Sequence, residues 1–117
     1  MSDLPLMQQK CKPCEGGAKP LNENDAEQYL KRTPDWQVTD DHKSIYRVFK
    51  MKNFLAAVKV IQSIAEIAER DNHHPDIHLT GYRNLRIELS THSIGGLSEN
   101  DFIVAAKIND LPVELKK

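Results

Sequence analysis

The sequence predicts an α+β domain, a four-stranded antiparallel sheet with three helices packed on one face. Three observations carry this. Two pairs of short strand-like segments are each joined by a tight polar or glycine-bearing turn, which implies hairpin-linked antiparallel strands. Three stretches with helical periodicity stand before, between and after those pairs. The resulting order is helix, strand, strand, helix, strand, strand, helix, and it segregates helices from strands as α+β folds do. The chain has 117 residues, enough for one such domain.

Residues 1–20 read as a flexible leader, because Pro13, Gly16, Gly17 and Pro20 break regular structure. The domain then spans residues 21–117. Asn22 or Asn24 can cap a short helix that ends before Pro34. Trp36-Gln37-Val38 reads as a strand, Asp40-Asp41-His42 as a turn, and Ser44 to Lys50 as an alternating second strand. Asn53 can cap the longest helix, which runs to about Asn72 and is stopped by Pro75. Phe54, Ala56, Ala57, Val58, Val60, Ile61, Ile64, Ala65, Ile67 and Ala68 spread over an arc of roughly 200°, whereas packing one face needs little more than about 100°. The surplus predicts a second buried surface and hence a homo-oligomer.

Ile77 to Thr80 gives a third strand and Gly81 helps the chain turn. Leu85, Ile87 and Leu89 alternate with Arg86, Glu88 and Ser90, so the fourth strand buries one face. His92 is expected in that strand. Gly95 and Gly96 make a turn, and Ser98 with Asp101 forms a capping box for the last helix. The tail, Glu114 to Lys117, is expected to fray.

Composition narrows the function. Sixteen Lys and Arg against seventeen Asp and Glu give a net charge of −1, so no global electrostatic pull towards nucleic acid exists. No run approaches the length of a membrane-spanning helix. Met1 to Lys10 lacks an apolar signal core and an Arg-rich transit pattern, so a soluble, cytoplasmic protein is expected. Cys11 and Cys14 form one Cys-x-x-Cys pair, two ligands where a structural zinc site wants four. They are read as ordinary surface thiols, the alternative being a metal or redox role shared with another chain.

The chemistry concentrates in Glu69-Arg70-Asp71-Asn72-His73-His74-Pro75-Asp76, two adjacent imidazoles flanked by carboxylates. Histidine titrates nearest neutrality and suits proton transfer. His73, His74, His78 and His92 could supply metal nitrogens, but Pro75 breaks the helical spacing that would put His74 and His78 on one face. No nucleophile elbow, phosphate loop or dinucleotide fingerprint is present. What remains is imidazole acid–base chemistry without a cofactor. The plain alternative is that His73 and His74 merely close a helix, where positive charge is favoured.

The longer spacing Glu69-x3-His73-His74-Pro75-x6-Tyr82-x9-His92-x8-Asp101, with Ser90-Thr91-His92 and Gly96-Leu97-Ser98-Glu99, resembles the signature of the pterin-4a-carbinolamine dehydratases. The similarity runs from about Leu21 to the end, with Trp36 in the family's first strand. The Cys-x-x-Cys-Glu-Gly leader looks like that of many bacterial members. The resemblance implies the α+β fold above, assembly into homodimers or homotetramers, and no metal or organic cofactor. It implies removal of water from 4a-hydroxytetrahydrobiopterin to give quinonoid dihydrobiopterin, which recycles the cofactor of aromatic amino acid hydroxylases.

Dehydration needs a proton delivered to the 4a-hydroxyl and a proton taken from N5. By resemblance, His73 and His92 carry that work, in either order, and His74 mainly holds the substrate. The implied pterin site comprises His73, His74, Pro75, Ser90, Thr91, His92 and Ser93. Glu69 and Asp101 are candidate partners orienting an imidazole. Glu69 reads equally as a solvated carboxylate and Asp101 as a capping acid. Ile77 stands where many animal members have tryptophan, and Asn100 where they have arginine. His78 is outside the signature and reads as a strand-surface residue. Relatives of the fold also imply an alternative, a non-catalytic or dual-role binding protein: a transcriptional dimerisation cofactor or a RuBisCO assembly factor. The intact histidine set argues against a purely non-catalytic role.

Overall fold

A computed structural model of the chain describes residues 5–9, 11 and 19–116. Helix α1 spans Glu23–Leu30, strands β1 and β2 span Gln37–Val38 and Ile45–Lys50, and helix α2 spans Phe54–Asp71. Strands β3 and β4 span Asp76–Thr80 and Asn84–Leu89, and helix α3 spans Glu99–Asn109. Side-chain caps set the helix starts. Asn22, Asn53 and Ser98 each accept a backbone N–H of the first turn, and Ser98 with Asp101 closes a full capping box.

The sheet order is β1-β2-β4-β3, all antiparallel. Ile45 lies opposite Leu89, Arg47 opposite Ile87 and Phe49 opposite Leu85, and Ile77 and Leu79 lie opposite the same Ile87 and Leu85. This register puts one apolar row on one face, where Ile45, Leu85, Ile87 and Leu89 are wholly buried. The three helices cover that face, with Ala57, Ile64, Phe102, Val104 and Ile108 completing the core. The opposite face stays open. There the Arg86 guanidinium lies 4.1 Å over the Tyr46 ring, and His78 is exposed as expected.

Four local features differ from the sequence expectations. Helix α2 is ended by Asn72, not Pro75. Asn72 takes the left-handed conformation (φ 51°, ψ 43°) that asparagine tolerates, and its N–H donates to the Ala68 carbonyl. His92 lies beyond β4, in a 3-10 turn over His92–Ile94, because the Thr91–Gly96 bridge folds the chain back on itself. The tail up to Lys116 does not fray. The Lys52 N–H donates to the Glu114 carbonyl and the Lys116 N–H to that of Lys50, both at 2.8 Å. Strand β1 pairs with only Ile45 and Tyr46, so the far end of that β2 edge is left for the tail. Finally, within the expected leader, Leu6–Gln8 form a 3-10 turn whose Leu6 is buried in the core against α3.

The wide apolar arc of α2 divides in two. Ala56, Ala57, Val60, Ile64, Ile67 and Ala68 are buried, whereas Phe54 and Val58 are 55% and 39% exposed, and Leu55, beyond that arc, is 62% exposed.

Candidate active site

The site grows from the end of α2. After left-handed Asn72, the His73 N–H donates to the Ala68 carbonyl at 3.1 Å, so the chain is turned back across the helix end. That turn brings the His73 imidazole to the start of α3. Its Nε2 lies 2.6 Å from Oδ1 of Asp101, whose side chain is fully buried, while that of His73 is 11% exposed.

Asp101 is anchored by the local geometry of α3. Its Oδ2 accepts the Ser98 backbone N–H and the Thr91 hydroxyl, each at 2.9 Å. Thr91 Oγ1 also lies 2.7 Å from Ser98 Oγ. A buried carboxylate is costly unless its lone pairs are filled, and here two donors meet Oδ2 while the His73 ring nitrogen meets Oδ1. Thr91, itself buried, therefore couples the end of β4 to the start of α3. Its backbone N–H donates to the Gly96 carbonyl at 2.8 Å and closes the turn that carries His92 and Ser93. His92 thus leaves the main chain one residue from the network that holds His73. Leu21 supports this turn from behind, its N–H donating to the Leu97 carbonyl at 2.8 Å. Gly96 packs so closely on Pro20 that an added Cβ would meet the proline Cβ at 2.8 Å.

The other expected residues are placed differently. His74 pairs with Glu69, Nε2 to Oε2 at 2.8 Å, with side chains 56% and 79% exposed. Glu69 is therefore the partner of His74 and not of His73. Pro75 and Ser90 are half-buried, and His92 and Ser93 are exposed. Thr91, expected to line the pterin site, has its hydroxyl engaged with Asp101 and Ser98. Ser98 was read as a cap and as part of the Gly96-Leu97-Ser98-Glu99 run, and its part in the network had one visible signal, the capping-box spacing to Asp101.

Among the described residues, no group of three or more His, Cys, Asp or Glu is arranged to hold a metal ion. Cys11 lies with its Sγ 3.6 Å from the Asn100 carbonyl, and Cys14 lies outside the described residues. No helix among the described residues is long and apolar enough to cross a membrane. The arrangement offers one imidazole clamped by a buried carboxylate, a second on an adjoining turn, and a third exposed beside Glu69.

Known proteins similar to this chain share one family description. A relative from Halorhodospira halophila is 44% identical over 92% of this chain and 98% of its own, and its name assigns it provisionally to the pterin-4-alpha-carbinolamine dehydratases. Pterin-4-alpha-carbinolamine dehydratase 2, mitochondrial, of Arabidopsis thaliana is 42% identical over 93% of this chain, which spans 60% of that longer protein. The crystal structure of a transcriptional coactivator/pterin dehydratase from Brucella melitensis is similar with a TM-score of 0.73 and 33% identity, over 78% of this chain and 96% of that one. The family profile described as pterin 4 alpha carbinolamine dehydratase matches residues 19–111, and the chain belongs to that family.

Proposed function

We propose that this chain removes water from 4a-hydroxytetrahydrobiopterin, giving quinonoid dihydrobiopterin, by histidine acid–base catalysis. The observation that carries the reading is the clamp of His73 on Asp101, with His92 leaving the chain beside the same network. One imidazole delivers a proton to the 4a-hydroxyl as the C–O bond breaks, and the other takes the N5 proton as the C=N bond forms. The proton gained equals the proton lost, so no external acid, metal or redox partner enters the balance. His74, exposed beside Glu69, is suited to holding the pterin ring. The products would return to the pathway that serves aromatic amino acid hydroxylases, in the cytoplasm.

The deciding experiment is a stopped-flow assay with the 4a-hydroxytetrahydropterin generated in situ. Acceleration over buffer is expected, and its absence would favour a binding role instead.

The exposed Phe54, Leu55 and Val58 of α2 support assembly of the chain into a homodimer or homotetramer. Light scattering after size exclusion tests this, and a clean monomer refutes it. The same apolar strip favours a second reading, a binding role held alongside dehydration. The Brucella melitensis protein is described as a transcriptional coactivator/pterin dehydratase.

A further inference from the structure

Resting on the dehydratase reading, we infer that Thr91 is a positioning residue. Through Asp101 it holds His73 with its proton on Nε2, leaving Nδ1 as the nitrogen that works on substrate. The polarity of the hydrogen bonds supports this one step at a time. The Ser98 backbone N–H can only donate, and its acceptor is Asp101 Oδ2 at 2.9 Å. A carboxylate only accepts. The Thr91 hydroxyl, also 2.9 Å from Oδ2, must therefore spend its single proton there. It follows that in the 2.7 Å contact between Thr91 Oγ1 and Ser98 Oγ the serine is the donor. Ser98 Oγ can still accept, and it takes the Asn100 N–H at 3.2 Å.

Every proton in the network then has one direction, towards Asp101. The remaining carboxylate oxygen, Oδ1, meets His73 Nε2 at 2.6 Å and must likewise receive a proton from it. A neutral imidazole has one N–H, so the lone pair sits on Nδ1. Proton exchange with the substrate then occurs at Nδ1, whichever of the acid and base roles His73 takes. Thr91 is 5% exposed and Asp101 is 0% exposed, so bulk water does not substitute for the hydroxyl. Thr91 also closes the turn that carries His92. The Asp101 carboxylate thus sets the tautomer of the first imidazole, while Thr91 fixes how that carboxylate is aimed and closes the turn that carries the other.

The test uses the whole chain with 15N-labelled histidine. Long-range proton–nitrogen correlation, recorded where His73 is neutral, is expected to show the Nε2–H form. Thr91→Val is expected to admit the Nδ1–H form and to lower kcat about ten- to a hundredfold, the scale of a small misplacement of a reacting group. KM is expected to stay within about twofold, because uniform substrate binding is untouched. Thr91→Ser should restore both the spectrum and kcat. Thr91→Cys, with its weaker S–H donor, should fall between and serves if the valine variant does not fold. An Nδ1–H spectrum in the wild type overturns the inference. So does a Thr91→Val variant with wild-type spectrum and kcat, or one in which only KM rises. A wild type that is inactive yet shows the Nε2–H spectrum overturns the dehydratase reading and supports the tautomer assignment. An active wild type with the Nδ1–H spectrum overturns the inference alone.

Discussion

His73 and Asp101 stand 28 positions apart in the chain, yet Nε2 of one and Oδ1 of the other lie 2.6 Å apart. The contact joins the end of α2 to the first turn of α3 and removes the carboxylate from solvent.

Replacing His73 by alanine should lower the dehydration rate by about 10²–10⁴-fold, the usual size of a general acid–base contribution. Asp101→Ala should lower the rate too and also destabilise the fold by about 1–3 kcal/mol, since it strands the Thr91 hydroxyl and the Ser98 N–H without an acceptor. Stopped-flow kinetics and urea unfolding read the two effects separately. Full activity in both His73→Ala and His92→Ala would rule out the mechanism.

Glu69 should behave oppositely. Its pair with His74 is solvent-exposed, where an ion pair contributes little. Glu69→Gln should change stability by less than about 0.5 kcal/mol, the ordinary size for a surface substitution. Its kcat should stay near wild type. A large fall in kcat with unchanged stability would instead give Glu69 a part in the site.

These two carboxylates show what was legible in the sequence. The spacing of Glu69, His73, His92 and Asp101 was visible, but which acid meets which imidazole was not. Glu69 lies one turn before His73 on a regular helix, so it was the natural partner by periodicity. The left-handed Asn72 rotates the chain after Asp71 and hands Glu69 to His74. A single backbone torsion thus decided the pairing. Element order was legible, and so was the buried face of β4, because Leu85, Ile87 and Leu89 alternate with polar residues. The tail's pairing with Lys50 and Lys52 was not, because it depends on how short β1 turns out to be.

Asn72 therefore controls the site through its conformation. Asn72→Gly should keep both fold and activity, because glycine enters the left-handed region freely. Asn72→Val should destabilise by about 1–2 kcal/mol, the penalty for a Cβ-bearing residue held there. It should also lower kcat by disturbing His73. Thermal unfolding and kinetics on the two variants check this, and equal behaviour of glycine and valine would refute it.

A second contact between α2 and α3 is ionic. Lys107 Nζ pairs with Asp71 Oδ2, and the two side chains are 18% and 2% exposed. Lys107→Met should cost about 3 kcal/mol because it leaves a buried carboxylate without its cation. The double variant Asp71→Leu with Lys107→Met should recover most of that loss, since a buried ion pair competes poorly with apolar packing. A double-mutant cycle in urea measures the difference. Additive losses would mean that the two side chains do not act as a pair.

Alkaline pH should expose a different weak point. Tyr29 is buried and stacks on Phe102 at 5.1 Å between centroids. Burial raises its pKa above the ordinary 10.0, and the nearby Glu99 charge adds to this while Arg32 opposes it. The folded state therefore keeps the phenolic proton after the unfolded chain has released it. With more protons bound in the folded state, stability must fall as pH rises. This contribution is complete below pH 10 and is lost as pH climbs through the raised folded pKa. Tyr29→Phe keeps the ring stacking and removes the titration. Its stability, followed by urea unfolding from pH 8 to pH 11, should decline less steeply than that of the wild type. Parallel curves for the two proteins would show that Tyr29 does not set the alkaline limit.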